Sequence, residues 1–177
     1  MTKGERYKLL RNIFLINLLL FCISFLTGFF LPYGGEAFMF FFKDILILIK
    51  DLPWLGIVAV IVLHNLRSVI VMFISGFAFL SVPILVFNGY VSGVVTNLSG
   101  LSLSGALLLL LPHGVFEIPA IALSASLGTL LSLELLKKNR DLAGVMKYSM
   151  RVTLKVILPL VIIAGIIEGI TIAGRGV

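Results

Sequence analysis

Five side chains that can carry a charge or bind an ion lie inside otherwise apolar stretches of this sequence. They are Arg67, Glu117 and Glu168, with His64 and His113 as polar companions. Placing one ionised side chain at the centre of a membrane helix costs about 2.5–3.5 kcal/mol on insertion scales, so such residues are candidates for function. The chemistry that they offer is ion binding, proton binding or charge pairing.

The spacing of His113 and Glu117 places them on one face of a helix, four residues apart. If Pro112 begins that helix, both side chains also lie near its positive end, which favours an ionised Glu117. Arg67 is then the expected partner of Glu117, and Asn65 and Glu168 are expected in the same polar region. Two interpretations stay open: a site for an ion, lipid headgroup or substrate, and a charge-paired network that only holds the helices together.

A metal site built from His64, His113, Glu117 and Glu168 is a weaker alternative, because zinc sites normally contain more His or Cys. We predict no metal and no cofactor. The sequence also lacks the G-x-S-x-G, H-E-x-x-H and C-x-x-C motifs, so an enzyme is not expected.

The composition shows what must position these residues. Apolar residues make up 60% of the 177 residues and charged residues only 12%, and the mean hydropathy is +1.18. A soluble domain carries about twice that share of charge. The chain is therefore predicted to be a single integral membrane domain of all-α class, a bundle of about five spans in contact with the lipid bilayer.

Basic residues form two clusters beside apolar runs, and they set the predicted topology. One cluster lies within residues 3–11 and the other within 137–155. This pattern is typical of cytoplasmic flanks rather than of nucleic-acid binding. We predict a multi-pass protein of the cell membrane with the N-terminus in the cytoplasm, an even number of spans between the clusters, and the C-terminus outside.

The predicted elements follow from the apolar runs and their interruptions. A first span covers 12–31, an amphipathic helix at the membrane interface covers 36–51, and a last span covers 152–172. Residues 54–95 form either two spans, 54–75 and 76–95, or one long span from about 66 to 87. In 103–136, Pro112 predicts a broken helix pair, either a hairpin or a span.

Small residues recur at four-residue spacing in three places, which predicts close helix packing. The sets are Gly89 and Gly93; Ala120, Ser124, Gly128 and Ser132; and Gly165, Gly169 and Ala173. We expect packing within the chain or in a homodimer, with the last set as the expected dimer face.

Four of these segments together resemble the stage II sporulation protein M family. The stretch from Leu111 to Ala120, LPHGVFEIPA, resembles its signature. Further similar elements are His64-Asn65-Leu66-Arg67, Asn88-Gly89 with Gly93, and Ile167-Glu168-Gly169. His64 stands where the family pattern has Asn, and the resemblance spans about residues 55–172. It implies a polytopic membrane protein; the family's namesake acts as a scaffold for a cell-wall-degrading complex during engulfment.

The sequence therefore predicts a non-enzymatic membrane scaffold or assembly factor. It is expected to be a homo-oligomer that also contacts other membrane proteins. The alternative is a small transporter or channel component that uses the intramembrane charged cluster.

Overall fold

The computed structural model describes residues 3–35 and 52–174, and the regular secondary structure in these ranges is helical. The long helices are α1 (Lys3–Phe30), α2 (Trp54–Ile74), α3 (Ser81–Leu98), α4 (Leu103–Leu135), α5 (Leu142–Val152) and α6 (Leu158–Ala173). A 3₁₀ turn, Ser75–Ala78, continues α2, and a π-helical turn, Thr153–Ile157, joins α5 to α6. Five helical segments of the described chain are long and apolar enough to cross a membrane, which confirms the predicted all-α bundle. The interfacial helix predicted at 36–51 lies outside the described residues.

Residues 54–95 form two spans rather than one, which decides between the two alternatives. The chain turns at Phe79, whose φ of 61° is left-handed. Serine hydroxyl groups fix this turn through hydrogen bonds to backbone carbonyls. Ser75 and Ser81 both donate to the carbonyl of Met72 in α2, each at 2.8 Å. Ser132 of α4 donates to the carbonyl of Gly76 at 2.7 Å. This turn therefore divides the apolar run into two separate helices, and α4 packs against both of them.

The predicted break of the helix at Pro112 is wrong. Helix α4 runs without interruption through Pro112 and Pro119 and begins at Leu103, where the Oγ of Ser102 accepts a hydrogen bond from the amide of Gly105. Each proline removes one backbone hydrogen bond, but membrane helices tolerate this where neighbouring helices surround them. Helix α4 has contacts with every other long helix of the described chain, and this packing keeps it continuous.

Both basic clusters lie at one end of the bundle. Arg6 of α1 forms an ion pair with Asp141, in the link between α4 and α5, with 2.9 Å between Nη2 and Oδ2. Four candidate spans separate these two residues, as the topology prediction requires. Helices α1, α3 and α6 run away from this basic end, and α2 and α4 run toward it.

The small residues of α3 and α4 pack inside the bundle, as expected. Gly89 and Gly93 lie against the backbone of α1, at Phe21 and Phe25. Ala120, Ser124, Gly128 and Ser132 are all buried. They face α2 and its turn: Ser124 Oγ donates to the carbonyl of Val69 at 2.6 Å. Close approach of α4 to α2 needs these small side chains.

The third set of small residues does not form a dimer face, so that prediction is wrong. Gly165 and Gly169 are buried against Val62 and Val58 of α2. Ala173 packs with Ile57 and Ile61 of the same helix. The last helix lies at the edge of the bundle, but it turns its small-residue face inward because that face allows the closest contact with α2.

Candidate functional site

His113, Glu117 and Glu168 meet between α4 and α6. Each offers one ligand atom, an imidazole nitrogen or a carboxylate oxygen, and these three atoms all lie within 4.8 Å of one another. All three side chains are partly buried. His113 and Glu117 share a face of α4 because they are one turn apart. Glu168 joins them from the antiparallel helix α6, so three of the five residues of the predicted polar cluster lie together.

Glycines on either side of Glu168 explain how α6 reaches this position. A Cβ added at Gly165 or Gly169 would collide with Val62 or Val58, respectively, so a larger residue would push α6 away from α2. Glu168 lies between these two glycines in sequence but points to α4. The two helix contacts, α6 with α2 and α6 with α4, therefore position one carboxylate beside another.

Arg67 does not pair with Glu117, and that prediction is wrong. No ion pair within residues 3–35 and 52–174 includes Arg67, Glu117 or Glu168. The reason is helix geometry: residues two apart point about 200° apart around the axis. Because Asn65 is buried, with 4% of its surface exposed, Arg67 must point out of the bundle, where it is exposed.

His64 also points outward and is not part of the site. It is exposed on the same side of α2 as Arg67, and its backbone carbonyl accepts a hydrogen bond from Ser68 Oγ at 3.1 Å. The weaker metal-site alternative is therefore wrong about His64. Its other three residues, His113, Glu117 and Glu168, lie together.

Asn65, which was expected in the same polar region, lies on the buried face of α2 and makes no side-chain hydrogen bond through its Nδ2. That buried atom has no acceptor among the described residues. The side chain of a helical residue leans toward the start of its helix. For Asn65 that direction is toward Val62, which contacts Gly165 one turn before Glu168. A buried amide donor is thus left free at the interface that holds the site.

The helix dipole does not contribute to the site as expected. Since α4 begins at Leu103, Glu117 lies about 21 Å from the helix start at 1.5 Å per residue, and the dipole acts only within the first turn. Two carboxylates that lie this close in an apolar region repel each other if both are ionised. The site therefore needs a proton or a cation to balance it.

An apolar groove of about 460 Å³ lies nearby, between α1 and α4. Phe21, Cys22, Phe25, Leu111, Gly114 and Ile118 are among the residues that line it. His113, Glu117 and Glu168 do not line it, because His113 and Glu117 lie on a different face of α4 and Glu168 lies on α6. The groove and the polar site are separate features.

Two buried polar contacts were not predicted. Asn17 of α1 donates from Nδ2 to Ser126 Oγ at 2.9 Å, in the middle of the bundle. Glu134, 2% exposed, accepts from Lys137 Nζ at 2.6 Å and from the amide of Asp141 at 2.8 Å. The signals in the sequence were a polar residue inside the first apolar run and an acidic residue directly before a basic loop.

Comparison with known protein families identifies the chain. A family model described as stage II sporulation protein M matches residues 17–171. The chain belongs to this family. The match includes all three site residues as well as Asn65 and Arg67, so this site lies within the stage II sporulation protein M region. No curated protein and no solved structure matches the chain.

Proposed function

We propose that this member of the stage II sporulation protein M family is a non-enzymatic multi-pass membrane protein that works by assembly. Its contact surface is the outward side of α2, formed by His64, Arg67 and Val71, here called the Arg67 surface. Its partner is a second copy of the chain or another membrane protein. The observation that carries this proposal is the exposed Arg67.

Arg67 is exposed near the middle of a candidate span, and this position is why its exposure indicates a partner. Arg67 lies roughly 20 Å along the helix from Trp54 and roughly 18 Å from Ala78, the two ends of this candidate span. Charged side chains near helix ends reach the headgroups, but one at the middle of a span remains in hydrocarbon. Intramembrane charges almost always face protein or water. A protein partner that covers the Arg67 surface removes this cost.

The rest of the chain offers no described partner for this guanidinium. The ion pairs of the described residues join Arg6 to Asp141 and Lys137 to Glu134, both at the basic end. The three sets of small residues at four-residue spacing, which otherwise support helix association, already pack inside the bundle. A partner at the Arg67 surface therefore contributes hydrogen-bond acceptors, such as helix carbonyls, hydroxyls or a carboxylate.

Cysteine cross-linking in membranes tests self-assembly at this surface. In a Cys22→Ser background, Val71→Cys is expected to form a disulfide-linked dimer, because Val71 is 45% exposed one turn from Arg67. Ile163→Cys is the matched control, with a similar exposure of 40% on α6. Adding Arg67→Leu should reduce the Val71 cross-link. Equal cross-linking at both positions would contradict a specific surface.

A mass measurement in lipid nanodiscs complements the cross-linking. The wild type should have the mass of at least a dimer, and Arg67→Leu should shift the population toward the monomer. Arg151→Leu, an exposed arginine of α5 near the basic end, is the control and should leave the mass unchanged. A strictly monomeric wild type in both experiments would exclude self-assembly.

The orientation in the membrane is part of the proposal. With the basic end in the cytoplasm of the cell, the N-terminus is inside and the C-terminus outside. Cysteines placed at Gly4 and Arg140 should react only with reagent added to the cytoplasmic side, and a cysteine at Gly176 only with reagent outside. Labelling of residue 140 from outside alone would overturn this orientation.

A transporter or channel component is the second candidate, and the cluster of His113, Glu117 and Glu168 favours it. Charged clusters inside membranes often mark ion or proton pathways. Glu117→Gln keeps the size of the side chain and removes its charge, so it separates the two candidates. An assembly protein should keep its oligomeric state and its cellular activity, whereas a transporter should lose flux in proteoliposomes.

A further inference from the structure

We infer that His113, Glu117 and Glu168 bind one divalent transition-metal cation of the Zn²⁺ type within the membrane bundle. This inference concerns a different face of the molecule from the Arg67 surface. It holds or fails independently of the proposed assembly function.

The geometry of the three ligand atoms fits such an ion after a small adjustment. The atoms lie within 4.8 Å of one another, while a zinc ion with bonds of about 2.0–2.1 Å holds its ligand atoms about 3.3 Å apart. Side-chain rotations that move each atom by roughly an ångström close this gap. The backbone is already in place, because His113 and Glu117 share one face of a continuous helix and the flanking glycines fix α6.

The negative charges of Glu117 and Glu168 are a stronger argument for a bound cation than the distances between the ligand atoms. Two carboxylates that share an apolar site repel each other, and no ion pair in the described ranges compensates Glu117 or Glu168. A divalent ion balances two carboxylates fully. A monovalent ion leaves one negative charge, which is expensive among apolar helices.

The types of ligand atom indicate which metals this site would prefer. One imidazole nitrogen and two carboxylate oxygens form a mixed set that suits zinc and similar ions, whereas Mg²⁺ and Ca²⁺ prefer oxygen ligands and more of them. Three protein ligands leave one tetrahedral position for water or another ligand.

Asn65 provides a second, independent observation. Its Nδ2 is buried without an acceptor among the described residues, on α2, the helix that packs against both α4 and α6. A metal-bound water or the outer oxygen of a ligating carboxylate would accept this hydrogen bond. Such outer partners orient the ligands and normally accompany metal sites.

Metal binding by the purified full chain tests the inference. The protein in detergent is stripped with a chelator, titrated with Zn²⁺ and separately with Mn²⁺, Mg²⁺ and Ca²⁺, and bound metal is measured by elemental mass spectrometry. We expect one Zn²⁺ per chain, no retained Mg²⁺ or Ca²⁺, and a higher melting temperature with Zn²⁺. X-ray absorption at the zinc edge should show nitrogen and oxygen ligands with one imidazole.

Matched variants locate the bound ion. Glu168→Gln and His113→Gln should each weaken Zn²⁺ binding by more than the 10–100-fold that loss of an outer partner causes. His64→Gln removes the other histidine of the chain and should bind Zn²⁺ like the wild type. Asn65→Leu should weaken binding less than the ligand variants do.

Clear results would overturn the inference. One is a wild type that retains no zinc and gains no stability from it, which would leave a shared proton as the balancing charge. Another is zinc that is lost with His64→Gln but kept with Glu168→Gln. If a ligand variant fails to fold, the absorption spectrum of the wild type still decides, since a spectrum without an imidazole ligand excludes the site.

Discussion

The closeness of Glu117 and Glu168 makes a quantitative prediction about two isosteric substitutions. In the absence of metal and at alkaline pH, Glu117→Gln should stabilise the protein by relieving repulsion from Glu168. Glu168→Gln should do the same. The double variant should gain little beyond either single variant, because the repulsion can be removed only once.

The magnitude follows from the distance. The carboxylate oxygens of Glu117 and Glu168 lie within 4.8 Å of each other, and two unit charges at that limit repel each other by about 3.5 kcal/mol at an effective dielectric constant of about 20. The coupling energy between Glu117 and Glu168 in a double-mutant cycle should therefore reach about 3 kcal/mol near pH 9. It should fall toward zero at pH 4, where protonation removes the repulsion.

The assay is reversible unfolding in mixed micelles with chelator present, followed by circular dichroism. A second cycle, Arg67→Leu with Glu117→Gln, is the control and should give a coupling near zero, since Arg67 points out of the bundle. The reasoning would be refuted by additive effects of Glu117 and Glu168 at pH 9. It would equally be refuted by a coupling above about 1 kcal/mol between Arg67 and Glu117, which exceeds the usual error of additivity.

Three further predictions concern the packing and the basic end. Gly169→Leu should lower the melting temperature of the monomer itself, because the new side chain meets Val58 inside the chain; an unchanged monomer with a lost dimer would contradict this. Ser126→Ala should cost about 1–3 kcal/mol, since Asn17 Nδ2 loses its acceptor, and chemical unfolding measures this loss. The Arg6 guanidinium, by donating a hydrogen bond, lowers the pKa of Asp141 below its ordinary value of 3.8, as does the amide of Gly144. This contribution to stability is present above the ordinary pKa and is lost as the pH falls through the lowered one. The wild type should therefore have a higher melting temperature than Asp141→Asn at neutral pH, and the difference should shrink in acid. Asparagine also caps helices well, so the substitution keeps the N-cap of α5 and tests the charge alone.

The membrane class, the number of spans and the grouping of His113 with Glu117 could all be predicted from the sequence. The reason is that these properties are local. Apolar runs are long enough to span the bilayer, and a four-residue spacing fixes a shared helix face whatever the helix packs against. The even number of spans between the basic clusters likewise follows from counting.

Tertiary packing decided which neighbour each helix face contacts. Pro112 predicts a break in an isolated helix, but α4 contacts all the other long helices and stays continuous. Gly165 and Gly169 were equally suited to a dimer or to the chain itself, and only the position of α2 assigns them to the chain.

Charge pairing was the least predictable feature. The cost of burying Glu117 requires compensation, yet it does not say which residue supplies it. Arg67 was the expected partner because its charge is opposite, but the buried face of α2 is the one that carries Asn65. Arg67, two residues later, must point the other way. The sequence determined that intramembrane charges exist and need partners, whereas only the rotation of each helix in the bundle placed one carboxylate beside another and left the guanidinium outside.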